Sequence, residues 1–294
     1  MPPGASRLVY SEIASGNGGN LSEHVCATHE PGLVTSRLWH TFRDDHEGEA
    51  EEVIEGASRP PSVRSPRAAQ SSALCTVHRV NRHLADAPDG LSRRARSFVW
   101  AHGLRVDSVG VEQYRSRWLE HGIPAAEVDR VVAFEERWGG MVLPPAPMYD
   151  GGPRIFRPDT PERTPTDGWW FEAGDQRTAV PFSFMIGPRG EFGIHAERWV
   201  PLHASVEGWV ESLALAHHAA MWAQQITKVT GEDIDALQLG LHEPVPEVEA
   251  LADGWWRGTD SLIAVYTGEA ECFAKPEYRT AVIYSGLDKW GLHG

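Results

Sequence analysis

The stretch PFSFMIGPRGEFGIHAERWVPLHASVEGWVESLALAHHAAMW, residues 181–222, decides the fold class. Phe182, Phe184 and Ile186 alternate with smaller or polar neighbours, GPRG at 187–190 offers a turn, and Phe192, Ile194 and Ala196 alternate again on the way back. A period of two on either side of a glycine-bounded turn predicts a β-hairpin. WVPL at 199–202 predicts one more short strand. Ser205 then stands where an N-cap belongs, and Trp209, Leu213, Ala216, Ala220 and Met221 follow at helical spacing, so a helix is expected from there to about Val229. A helix of this kind needs a surface on which to bury its apolar stripe, and the economical solution is a set of helices packed on a mainly antiparallel sheet. The expected class is α+β.

Upstream, Ser108 is a candidate cap for a helix carrying Val111, Tyr114, Trp118 and Leu119, closed by His121-Gly122. Pro124 opens a second helix in which Val131, Phe134 and Trp138 form one stripe, and Gly139-Gly140 stops it. The prolines of MVLPPAP, including Pro144, then force an extended or turning path. Residues 157–168 are polar and contain proline, which predicts a long surface loop before Trp169, Trp170 and Phe171. Downstream, 231–254 is acidic and weakly periodic, whereas Leu262–Tyr266 and Thr280–Tyr284 are β-branched segments suited to pair with each other or extend the sheet.

The first hundred residues divide by charge. DDHEGEAEEVIE at 44–55 is dense in carboxylates and 59–96 is rich in Arg, Pro, Ser and Ala. Such segments offer little apolar surface to offset the entropy of ordering. The expected organisation is a largely disordered or loosely packed extension over 1–95, an α+β core over 105–230, and an acidic linker with a β-rich extension over 231–294. Within the first region, 33–43 has the character of a short strand and 73–85 that of a short helix.

The net charge of -14, from 41 acidic and 27 basic residues, argues against the broad positive surface that nucleic-acid binding requires. Cys26, Cys75 and Cys272 are odd in number and widely spaced, which fits neither a disulfide framework nor a CxxC metal knuckle. The sequence carries no apolar run of membrane-spanning length, and its first twenty residues lack the pattern of a signal peptide, so a cytoplasmic protein without a membrane role is expected.

Three histidines invite a zinc reading, His195 on the return strand, His203 after the next strand and His217 in the helix. They would have to converge from separate elements, the chain has no HExxH, and His217 and His218 diverge around the helix, so hydrogen-bonded or solvated imidazoles are the expected outcome, with no cofactor. Cys272 lacks a local base and reads as a small buried side chain. GPRG is a turn, since the lysine and helix of a phosphate loop do not follow it. Glu207 and Glu211, four residues apart, are expected on the solvated side of their helix opposite Trp209 and Leu213. With the doublet Trp169-Trp170 they form the candidate partner-binding surface, while Trp138, Pro144, Trp209 and Leu213 are expected to be structural. On this reading, reversing both acids to lysine leaves stability nearly unchanged.

The order of AFEERWGG, MVLPP, AVPFSFMIGPRGEFGIH and SVEGWVESLAL resembles the SUKH superfamily. Phe134, Glu135, Trp138 and Gly139 match its first helix, Leu143-Pro144 its Leu-Pro step, Pro181 and Gly187 to Gly193 its glycine-rich hairpin, and Ser205 to Leu215 its closing helix, over roughly residues 110–230. The resemblance implies a SUKH-like α+β core used as an intracellular protein-binding surface, often as the immunity partner of a bacterial toxin, with no catalytic residues in common. A basic toxin would suit the acidic chain. The competing expectations are a hydrolase acting on a small molecule in a tryptophan-lined pocket near 165–171, and a regulatory scaffold whose charged arms recruit other chains.

Overall fold

The computed structural model describes residues 80–81, 87–107, 110–164 and 168–293. The strand expected over 33–43 and most of the extension over 1–95 lie outside these residues, as do Ser108, Cys26 and Cys75. Among the described residues the chain forms antiparallel sheets with helices packed against them, the α+β class expected.

The hairpin of residues 181–196 is present as β7 (Ser183–Ile186) and β8 (Phe192–His195), with Phe184 opposite Ile194. Gly190 closes the turn at a φ of 95°, a left-handed conformation that favours glycine. The next strand is β9 (Trp199–His203). Before them come β4 (Ile155–Phe156), β5 (Glu162–Thr164) and β6 (Gly168–Asp175). These six make one sheet in the order β4-β6-β7-β8-β9, with β5 also on β6. Residues 162–164 are therefore a strand where a loop was expected. Their pairing, Glu162 opposite Trp170, is supplied by the tryptophan-bearing strand and not by any alternation of their own.

A second sheet is built from the C-terminal third. Its strands are β10 (Gln225–Thr230), β11 (Glu243–Pro244), β12 (Gly254–Arg257), β13 (Ser261–Tyr266) and β14 (Thr280–Ser285), in the order β10-β14-β13-β12-β11. The two β-branched segments pair with each other, Leu262 facing Tyr284. A third small sheet joins β1 (Val80–Asn81), β2 (Leu104–Val106) and β3 (Met141–Val142). Val80–Asn81 is thus extended where a helix was expected over 73–85, because β2 offers it a pairing edge.

Besides short 3₁₀ turns, the described residues hold six α-helical segments, the last two of a single turn each: α1 (Arg93–His102), α2 (Arg115–Glu120), α3 (Ala125–Trp138), α4 (Val206–Trp222), α5 (Gly268–Cys272) and α6 (Lys289–His293). α3 begins after Pro124 and buries Val128, Val131, Phe134 and Trp138 as one stripe, and Gly139 ends it. α4 is capped by Ser205, whose Oγ accepts the Gly208 N–H at 3.1 Å. It stops at Trp222, short of Val229, and the chain turns directly into β10, whose Ile226, Thr227, Val229 and Thr230 suit a strand.

α4 is the axis of the core. Trp209 meets Phe192 of β8 with ring centroids 4.9 Å apart, and Ser212 Oγ accepts the indole N–H of Trp255 on β12 at 2.9 Å. The helix is therefore covered by both large sheets, and Val206, Val210, Leu213, Ala214, Leu215 and Ala219 are all buried around it. Trp255, Leu262, Tyr266 and Tyr284 belong to the same apolar cluster as Trp138 and Phe184, so the strands of 231–294 share the core expected to end at 230. The outer face of the second sheet carries its own cluster, where Ile234 covers Ile263, Val265 and Ala281.

The expected boundary at residue 95 falls inside α1. Leu91, Ala95, Phe98 and Val99 are buried, and Ser92 Oγ accepts the Ala95 N–H at 3.2 Å as an N-cap. An arginine-rich sequence can still form this helix, because its apolar residues recur at helical spacing and α4 provides the surface that receives them.

Candidate functional site

The histidines of the opening stretch are not brought together. His195 is exposed at the end of β8, His203 is fully buried, and His217 lies on α4 against Phe98 and His102, with ring centroids 5.2 and 4.4 Å away. His203 Nδ1 lies 2.7 Å from the Val248 carbonyl, which can only accept, so this nitrogen carries the proton. Burial pushes the His203 pKa down to about 4, which keeps the ring neutral. No group of three or more His, Cys, Asp or Glu side chains able to hold a metal ion occurs among the described residues. Cys272 closes α5, buried, with its thiol donating to the Arg198 carbonyl at 3.3 Å, and burial raises its pKa.

The pair Glu207 and Glu211 does not form an exposed acidic face. Glu211 is 3% exposed. Its carboxylate accepts both the N–H and, at 2.8 Å, the hydroxyl of Ser92, and Arg94 stands 3.8 Å away. Burial raises its pKa, opposed by the Ser92 bonds and by Arg94. The reason is α1, whose first turn sits over this side of α4 and turns an expected solvent position into a buried cap. Glu207 remains partly exposed and pairs with Arg137 of α3.

Of the tryptophan doublet, Trp170 is buried and meets Trp199 edge-on at 4.7 Å, so it is not a surface anchor. Trp169 is half-buried, and its carbonyl accepts from Arg130 of α3 at 2.7 Å, which binds this strand to the helix. The two rings lie on opposite faces of β6, Trp169 packed against the core cluster and Trp170 against Trp199. Trp138, Trp209 and Leu213 are buried, and Pro144 is half-buried.

A groove suited to a ligand or partner lies elsewhere. A groove of about 580 Å³ runs between α2, the end of α3 and residues 157–160. Val111, Trp118 and Ile123 are its buried apolar lining, the exposed Tyr114 stands at its lip, and Arg117, His121, Arg157, Asp107, Glu135 and Asp159 add charged and polar groups of both signs. α2 is fixed in place by Arg115, whose guanidinium bonds Glu112 at 2.6 Å and Asp129 of α3 at 2.7 Å. Glu135 accepts the Val111 N–H and pins the turn that bears Tyr114. His121 Nδ1 donates to the Arg117 carbonyl at 2.7 Å, which leaves Nε2 as the ring atom available to a ligand.

The sequence puts Val111, Tyr114 and Trp118 near one face of a single helix after Ser108. Residues 111–114 form a 3₁₀ turn instead, which rotates Tyr114 outward while Val111 and Trp118 stay buried. The polar 157–160 segment opposite gave a signal only as a loop.

A second polar feature is sealed inside the fold. Asp253 is buried and its Oδ1 accepts from Tyr149 Oη at 2.7 Å and from the Thr267 N–H at 3.0 Å, while Oδ2 has no partner. Burial raises the Asp253 pKa to about 7. Tyr149 and Asp150 hold φ of 56° and 52° just before two glycines, so the loop that delivers this phenol is in a conformation non-glycine residues rarely adopt. The site is closed to solvent and ties that loop to β12 and α5.

No family model matches the chain, and no curated protein or solved structure matches it significantly.

Proposed function

We propose that this chain is a protein-binding module of the SUKH type, acting inside the cell as the immunity partner of a basic toxin. The observation that carries the reading is the groove beside α2, a buried apolar lining of Val111, Trp118 and Ile123 among charged groups of both signs, with Tyr114 at its lip. A lining of this kind suits an apolar side chain from a partner, and the mixed charges suit the charged residues flanking it. The net charge of -14 adds long-range attraction for a basic protein, which speeds encounter more than it tightens the complex. The order of α3, the β7–β8 hairpin and α4 is compatible with the SUKH resemblance of residues 110–230. The partner surface is placed at the groove and not at Glu211 or Trp170, which are buried.

The test is a titration of the full chain with the protein encoded by the neighbouring gene, followed by calorimetry at low and high salt. Association that weakens with salt is expected, and a Tyr114→Ala, Arg117→Glu variant should lose at least about tenfold in affinity, the size of a single interface anchor. Equal binding by this variant would remove the groove from the interface, and the absence of any association would defeat the reading.

A further inference from the structure

We propose that β10 is the seam of a symmetric dimer, in which two copies of this chain pair antiparallel through that strand. β10 ends the second sheet: its six residues pair with β14 on one side, from Gln225 opposite Ser285 to Thr230 opposite Thr280, and no described strand lies on the other. An open edge of this length presents unpaired backbone donors and acceptors, and a matching edge is what satisfies them. Exposed apolar side chains gather at the same end of the strand. Ile226 on β10 is 52% exposed, Met221 and Trp222 just before it are 61% and 47% exposed, and Trp290 of α6 is 51% exposed. Trp222 and Trp290 flank His218, with ring centroids 6.3 and 6.4 Å from it, so they form one patch.

The side chains select the register and the occupant. Ile226, Lys228 and Thr230 lie opposite Tyr284, Val282 and Thr280, whereas Val229 packs with Ile234 and Ile263 on the other face. A two-fold axis perpendicular to the sheet preserves the faces, so it must pass through a residue of the strand. An axis through Lys228 would set two lysines opposite each other, which is repulsive. An axis through Ile226 would leave only the first half of β10 paired. An axis through Thr227 keeps most of the strand paired, sets threonine against threonine and lays the aliphatic stem of Lys228 over Ile226 of the partner subunit. Lys228 also acts electrostatically on Glu269 of its own chain, which offsets its charge at the seam. Lys228 thus guards the edge against one register while accepting another, and that makes a second copy the fitting occupant. The groove beside α2 shares no residue with this edge, so the proposal stands independently of the function assigned to the groove.

Sedimentation equilibrium of the full chain over a dilution series decides the matter. The wild type is expected to dimerise reversibly. Thr227→Lys and Thr227→Glu, each of which places like charges at the axis, are expected to be folded monomers by circular dichroism, and their equimolar mixture is expected to recover the dimer. A wild type that stays monomeric throughout the series overturns the proposal, as does a dimer that survives Thr227→Lys or a mixture of the two variants that remains monomeric.

Discussion

Replacing Glu211 by alanine should be among the most damaging single changes on α4, although the residue is charged. The carboxylate is 3% exposed and joins three groups of the first turn of α1, the Ser92 N–H, the Ser92 hydroxyl and the Arg94 guanidinium. Removing it deletes two hydrogen bonds to an ionised acceptor and leaves Arg94, whose side chain is 9% exposed, without its anion. Loss of one member of a buried pair costs about 3–5 kcal/mol, most of it from the uncompensated partner. For a domain of this size that corresponds to a fall in Tm of roughly 6–20 °C. Glu211→Gln keeps an acceptor for Ser92 and should cost less. Glu207→Ala disturbs only a partly exposed pair with Arg137 and should cost at most about 1 kcal/mol. Denaturant unfolding followed by tryptophan fluorescence measures all three, and amide exchange should show α1 losing protection first in Glu211→Ala. Equal unfolding midpoints for Glu211→Ala and Glu207→Ala would refute the reasoning and restore the solvated acidic face.

Leu213→Ala, at a buried position of α4, should destabilise by about 2–5 kcal/mol in the same assay. Gly208→Ala should cost about 1–3 kcal/mol, because an added Cβ would lie 2.6 Å from the Val248 carbonyl oxygen. Asp253 has its folded pKa raised from 3.8 to about 7, so the native state holds the extra proton in that window and stability falls as pH rises through it, by up to about 4 kcal/mol. Asp253→Asn should abolish that decline in pH-dependent unfolding. His203 has its folded pKa lowered from 6.5 to about 4, so the unfolded state binds the extra proton and stability falls as pH drops from 6.5 toward 4. The two slopes oppose each other between about pH 4 and 6.5, so their contributions largely cancel in the wild type, and His203→Gln should unmask the decline that belongs to Asp253. A His203→Gln variant more stable at pH 6 than at pH 4.5 would contradict this account.

The elements legible in the sequence are those whose period matches one neighbouring surface. The β7–β8 hairpin alternates because one face meets α4, and α3 carries a stripe because one side meets the sheet. β10 was absorbed into the expected helix to Val229, since it follows α4 almost without a break, although the β-branched content of 226–230 suits a strand. β5 and β1 have no pattern of their own and are extended because a partner strand is there.

α1 shows a different failure, and it propagates to the candidate site. Ser92, Ala95, Phe98, Val99 and His102 have the spacing of a capped amphipathic helix, but three of the ten residues of α1 are arginine and the composition of 59–96 outweighs the pattern. Once α1 is missing, the wheel of α4 assigns Glu211 to water, because a helical wheel fixes a side and says nothing of what covers that side. With α1 in place the same residue becomes a buried acceptor, and the polar side of α4 becomes a second packing face in which Ser212 receives Trp255 and His218 meets the Trp290 carbonyl at 3.1 Å. The same logic moves the exposed surface elsewhere. With α1, the two large sheets and α6 all closing on α4, the open chemistry of the described residues shifts to the groove beside α2 and to the edge of β10, neither of which carries the charges that drew attention in the opening stretch.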